Sequence, residues 1–309
     1  VVGTIIFCLT VLQASDAVDE ASFGVPHRSV FVAVVLTVIS LLGVVRSVDH
    51  LAKSLRVGSV SQTILEETLV LINQRSESAS SAGSVPLGPS VASDSQGRPS
   101  TDGAPVEAVK SGWVQQIDTD ELLDTCPSGA TITVVKPVGT FVLAGAPLAR
   151  IHLGAGGLDD PTITEQAHRA FALGSGRTSQ QDIPFGLIRL SDIGMRALSP
   201  GINDPNTAID VLNVIATILL TLLEHPESEG MFKRESKQLV VPEHSHAEYV
   251  DLALSPVRRA AVDQPLVLTS IARLCEQISA EVIRRDLPAS PEVFTPVLDA
   301  LEEGLPTSG

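Results

Sequence analysis

Between Arg28 and Arg46 the chain carries seventeen consecutive uncharged residues, SVFVAVVLTVISLLGVV. As a helix the run reaches about 25 Å, just short of a hydrocarbon core of roughly 30 Å. Ser47 and Val48 complete the crossing if Arg46 snorkels to the interface. A strand is excluded by length, since buried strands run about four to eight residues. The run therefore predicts a full membrane span over 29–48. The opening segment, VVGTIIFCLTVLQA, is also free of charge but too short to cross, and it starts at Val inside an apolar run, so 1–14 reads as a partial span. A secretory signal is the rival reading, but it lacks a basic leader and a second span follows at once.

Charge sets the orientation. The loop between the two segments holds Asp16, Asp19 and Glu20 against Arg28, whereas Arg46, Lys53 and Arg56 follow the second one. The basic side faces the cytoplasm, which predicts a multi-pass protein of the bacterial inner membrane with everything after Arg46 cytoplasmic. Cys8, Cys126 and Cys275 are odd in number and far apart, which suits reduced thiols rather than a disulfide framework. The net charge of −15 argues against nucleic acid, which selects clustered Lys and Arg. The expected partners are the lipid bilayer and further copies of the chain.

The remainder divides by pattern. After the transmembrane region, 1–48, residues 49–75 repeat apolar side chains at three- to five-residue steps, including Val60, Ile64, Leu65, Leu69 and Ile72. This predicts an amphipathic helix leaving the membrane, its stripe covered by the rest of the domain or by another subunit. Residues 76–105 are rich in Ser, Gly, Pro and Ala and read as a flexible linker. Residues 106–154 alternate Val, Ile and Thr runs with Gly and Pro and predict a small β domain. Its order of Gly139, Phe141, Val142, Gly145, Pro147, Leu148 and Ile151 resembles barrel-sandwich hybrid domains such as lipoyl and biotinyl carriers. Neither Lys110 nor Lys136 occupies the hairpin tip that carrier chemistry needs. Residues 155–309 read as mainly helical. Their apolar stretch VIATILLTLL lies between Asn213 and Glu224 and is too short for a span, so it predicts a buried core helix. The fold class is α+β: transmembrane helices, a small barrel or barrel-sandwich-like β domain, and a C-terminal helical domain.

The densest polar run lies from Arg177 to Asp210. Arg189, Asp192 and Arg196 share one helical face and can form an ionic cluster. In SPGINDPNTA, Asp204 is placed as N-cap with Pro205 at the first helical position. Capping accounts for most of that segment. The accumulation of Asn203, Asp204, Asn206 and Thr207 beside Arg189, Asp192 and Arg196 makes these seven residues the candidate ligand-binding set, at a helix N-terminus. Glu243, His244, His246 and Glu248 have metal-ligand chemistry, but a His pair two apart lacks the spacing of known sites, so no metal is assigned. No Walker loop, G-x-S-x-G elbow or H-E-x-x-H occurs, and LGAGG at Gly154–Gly157 is not followed by a helix start. No cofactor and no catalytic residue is assigned.

The strings R-T-x-x-Q-D, F-G-x-x-x-L-x-D-I and A-L-S-P-x-I-N-D-P-x-T-A stand in order between Arg177 and Ala208, after FGVPHRSVFVAVVL, SGWVQQID and VGTFVLAGAPLARI. Together they resemble a bacterial predicted membrane-protein family, domain of unknown function 2254, over nearly the whole chain. The resemblance implies a four-span architecture of which this chain is an N-terminally truncated member. It departs from the family pattern around ALSPVRRAAVDQP, where a helix contains Pro256. Three function classes stay open: a ligand-sensing or scaffold domain, a subunit of an oligomeric channel or transporter, and a membrane-bound enzyme. The enzyme has the least support, because no nucleophile and base stand at an interpretable spacing.

Overall fold

The computed structural model describes residues 31, 35–46, 57–81, 103–153, 161–227 and 230–303. The chain divides into two units, Val1–Val60 and Ser61–Gly309. In the first, helix α1 covers Val35–Arg46. Its apolar side chains stand in the open: Ile39, Leu41, Leu42 and Val45 are each more than half exposed. A helix uncharged up to its last residue, Arg46, with exposed apolar faces suits lipid rather than water. The expected partial span 1–14 lies outside the described residues, as does part of the full span 29–48.

Helix α2, Val57–Ser81, buries one stripe, Ser61, Ile64, Thr68 and Ile72, at the three- to four-residue steps of an amphipathic helix. It continues through Ser81, into the segment expected to be linker, because SESASS contains neither Gly nor Pro to stop it. The β section supplies β1 (Ala104–Glu107), β2 (Gly112–Ile117), helix α3 (Thr119–Thr125), β3 (Thr131–Val134), β4 (Phe141–Val142) and β5 (Pro147–His152). There follow helix α4 (Pro161–Ala167), a 3-10 turn (His168–Ala170), and β6 (Phe171–Gly174).

The sheets also recruit strands from the segment expected to be mainly helical. Strand β6 pairs antiparallel with β2, and the hairpin of β7 (Gly230–Arg234) and β8 (Lys237–Val241) joins β3 through a parallel pairing. The hairpin carries no Gly or Asn at its turn; Glu235 takes the left-handed conformation instead, at φ 54°. The strand orders are β1-β5-β3-β8-β7 and β4-β2-β6. Both sheets share one apolar core, with Val114, Leu122, Ile132, Leu148 and Leu239 at 0–1 % exposure. They form an open two-sheet arrangement, which corrects the expectation of a barrel: among the described residues no closed barrel occurs, and three-stranded β4-β2-β6 ends on a two-residue edge strand.

The second core is helical. Helices α5 (Ile183–Ala197), α6 (Pro205–Leu223), α7 (His246–Ala260) and α8 (Pro265–Arg284) enclose it, with a 3-10 turn (Pro291–Phe294) and α9 (Thr295–Glu302) closing one side. Among the described residues α6 is the one helix long and apolar enough to cross a membrane. It lies inside this core, with Val211, Leu212, Ile215, Ile218 and Leu219 buried. Neighbouring α8 exposes Arg284 beside Glu281, side chains that a lipid-facing bundle would not present. Stripe and core meet closely at Gly186 of α5, where an added Cβ would collide with the Thr68 hydroxyl of α2.

Candidate functional site

The seven residues singled out from the sequence do not converge. Arg189 reaches Glu67 of α2 at 3.2 Å rather than Asp192, and its guanidinium lies 5.7 Å from the Phe185 ring. Asp192 and Arg196 are exposed on α5. Asp204 caps α6, accepting from the Thr207 amide at 3.1 Å and the Thr207 hydroxyl at 2.6 Å. These bonds hold its carboxyl below the usual carboxylate range. Asn203, at φ 48°, accepts from Gln264 at 2.8 Å, and Asn206 is exposed in the first turn. The group is occupied with helix ends and surface contacts.

The Glu-His segment is likewise divided among local tasks. Ser245 and Glu248 form a reciprocal capping box on α7, and His244 lies 3.6 Å from Glu248. His246 is buried 3.5 Å from Glu227. Burial lowers the His246 pKa, against the pull of Glu227 in the other direction.

A cavity of about 290 Å³ lies instead where α2, the α5 N-terminus, the sheets and α7 come together. Its wall is mainly apolar, with Leu71, Ile117, Val138, Ile183, Phe232 and Val241. Two ion pairs flank it. Arg75 of α2 donates from Nε to Glu243 Oε1 at 2.9 Å, and Glu243 follows β8 directly after Pro242. Burial pushes the Glu243 carboxyl up, although Arg75 pulls it down.

Asp182, also in the wall, caps α5, accepting from the Phe185 amide at 3.0 Å, and receives both Nε and Nη2 of Arg177 at 2.8 and 2.7 Å. Its side chain is 1 % exposed. Arg177 lies against the Trp113 and Phe185 rings at 5.8 and 5.0 Å. Gly139, at φ 84°, faces this pair so closely that a Cβ would collide with both side chains.

The R-T-x-x-Q-D string has a structural meaning here. Arg177 and Asp182 pair with each other, while Gln181 accepts from the Ile117 amide at 3.0 Å and fastens the loop to β2. Tyr249 lines the same cavity as Asp182, Arg75 and Glu243, and burial raises its pKa, already well above neutral, to about 12. The His244 ring tilts against it at 5.5 Å.

Sequence reasoning missed Arg75 and Tyr249 and met Glu243 only as a metal candidate. Arg75 and Glu243 are 168 positions apart, so only the fold brings them together. The local signal for Asp182 was readable: an Asp just before Ile-Pro, where an N-cap belongs. Cys126 and Cys275 are buried and unpaired, their thiols pushed up to about 11 and about 12 by burial, which makes them poor nucleophiles.

Similarity agrees with the membrane reading at family level. The family model DUF2254, a predicted membrane protein, matches residues 1–277. The uncharacterized protein Mb1321c of Mycobacterium bovis is 29% identical over 274 residues, covering 86% of this chain and 50% of the relative. The uncharacterized protein Rv1290c of Mycobacterium tuberculosis matches with the same identity and coverage. The chain thus spans about half the length of these relatives. No solved structure matches it. By its family model the chain belongs to the DUF2254 family of predicted membrane proteins.

Proposed function

We propose that this chain is a membrane-anchored, ligand-sensing module whose binding site is the cavity flanked by Arg75–Glu243 and Arg177–Asp182. The single observation that carries the reading is the composition of its wall. One helix with an amphipathic stripe, two sheets and two helix N-termini each contribute to a cavity near the lower end of the size range of ligand pockets, about 300 to 1,000 Å³. A ligand there contacts α2 directly through Leu71 and Arg75, and α2 is the element that follows the apolar segment in sequence. The basic residues Arg46, Lys53 and Arg56 after that segment support a cytoplasmic position for the cavity.

The test is a thermal-shift screen of the full chain in detergent against small bacterial metabolites. A ligand of this site raises Tm by mass action, and the rise shrinks in Tyr249→Phe. A fluorophore on exposed Asn73 of α2 then reports whether the bound ligand changes the helix surroundings. A screen in which no compound raises Tm, or in which ligands act equally on Tyr249→Phe, removes the reading. A ligand that binds without changing the Asn73 signal leaves a binding module and removes the sensor.

A further inference from the structure

We infer that the cavity takes an uncharged ligand with an apolar body and one hydrogen-bonding end, of the size of a two-ring compound. The inference rests on the reading of this cavity as a binding site and adds the chemistry of what enters it.

The charges at the wall are already paired inside the protein. Arg75 holds Glu243, and Asp182 holds Arg177 together with the Phe185 amide. An anion entering the cavity would meet the Glu243 and Asp182 carboxylates. Among the described residues Arg75 is the one permanent cation in the wall, and drawing it to the anion leaves the Glu243 carboxylate buried without its partner, a costly state. A cation would have to displace Arg75 from Glu243, although α2 tethers that guanidinium beside the carboxylate at high effective concentration. A neutral ligand disturbs neither pair.

What the wall offers such a ligand is apolar surface at Leu71, Val138 and Phe232, ring surface at Tyr249 and His244, and hydrogen-bonding groups at Gln180 and Tyr249. A phenol is protonated at neutral pH and burial moves the Tyr249 pKa further up, to about 12, so its hydroxyl is available as a donor. Tyr249 lines the cavity together with Asp182, Arg75 and Glu243, so its hydroxyl is one of a few polar groups on a mainly apolar wall.

Three probes with one ring system separate the possibilities: naphthol, naphthoate and naphthylmethylammonium, titrated at neutral pH into the full chain in detergent by calorimetry. Naphthol binds at least about tenfold more tightly than either ion, because an unpaired buried charge is penalised. Two variants test the place of binding. Gln180→Trp puts bulk at an exposed wall position, and Leu71→Trp fills the α2 side; thermal unfolding verifies that each still folds. Both reduce naphthol binding by about tenfold or more. If one of the ions binds more tightly than naphthol and Gln180→Trp abolishes it, the neutral class is overturned while the site stands. Naphthol uptake that persists in both folded variants is partition into detergent and overturns the inference and the site together. So does a chain that binds none of the three.

Discussion

Arg177 grips Asp182 with two parallel hydrogen bonds, Nε to Oδ2 at 2.8 Å and Nη2 to Oδ1 at 2.7 Å, while the same carboxylate caps helix α5. Five positions separate the partners, so the pair closes its own loop before the helix begins. Removing the guanidinium leaves a carboxylate with 1 % exposed side chain and no counter-charge. Arg177→Ala is expected to lower the unfolding free energy by about 3 kcal/mol or more, measured by urea denaturation in detergent. Arg177→Lys recovers only part of this, because an ammonium cannot make the two-pronged contact that the guanidinium makes with Asp182. Equal stability of Lys and Arg at this position would contradict the geometry.

Gly139 gives a matched comparison. It and Gly145 have nearly the same left-handed backbone, φ 84° and 81°, so Ala carries the same local penalty at both. Nothing lies within 4 Å of a Cβ at Gly145, whereas at Gly139 the Cβ meets Asp182 and Arg177. Gly145→Ala is expected to cost about 1 kcal/mol and Gly139→Ala about 3 kcal/mol. The difference between the two, read from urea midpoints at equal m, isolates the crowding against the ion pair. Equal losses would show that the pair moves aside freely.

These residues also show which parts of the molecule were readable in sequence. The start of α6 was, because Asp204 and Pro205 act on the backbone within a few positions of themselves; Asp182 and Pro184 carry the same local signal at α5, where it was not read as a cap. Helix α6 was read as core from the ten residues VIATILLTLL and their polar flanks; the whole helix is long and apolar enough to cross a membrane, and its buried side chains are what place it in the core. Strands β6, β7 and β8 were not readable: Phe171 pairs with Ile117, and Leu239 with Ile132, across loops and helices that carry no record of the pairing. The same distance hid the cavity. Arg75 and Glu243 meet across 168 positions, and Arg189 finds Glu67 across 122, so the apparent cluster of Arg189 with Asp192 gave way to a longer-range partner.

Asp204 and Asn206 separate capping from ligand binding at the α6 N-terminus. The Asp204 carboxylate accepts two bonds from Thr207, while the Asn206 side chain is exposed. Asp204→Ala is expected to lower Tm by a few degrees and Asn206→Ala to leave it unchanged. Because hydrogen bonding depresses the Asp204 pKa below 3.8, its contribution is complete above about pH 3.8 and is lost as the pH falls through the folded value. A chain in which Asn206→Ala is as harmful as Asp204→Ala would reopen the polar cluster as a site.

Glu243 carries the opposite sign. Burial raises its folded pKa above the ordinary 4.5, despite Arg75, so the native state binds this proton more readily than the unfolded chain does. Between 4.5 and the raised value, stability therefore falls as pH rises. Glu243→Gln removes the titration and leaves an uncharged partner for Arg75. The stability of this variant relative to the natural chain is expected to improve as pH rises from about 4.5 and to level off once Glu243 is fully ionised. His246 titrates in the other direction: burial lowers its pKa, so its contribution is complete above about 6.5 and is lost on acidification. The His246 contribution is present in both proteins and cancels in the difference, so urea unfolding of the two across this range reads Glu243 alone. If Glu243→Gln instead loses ground as pH rises, the attraction to Arg75 outweighs burial, and the carboxylate is a net stabiliser of the cavity wall.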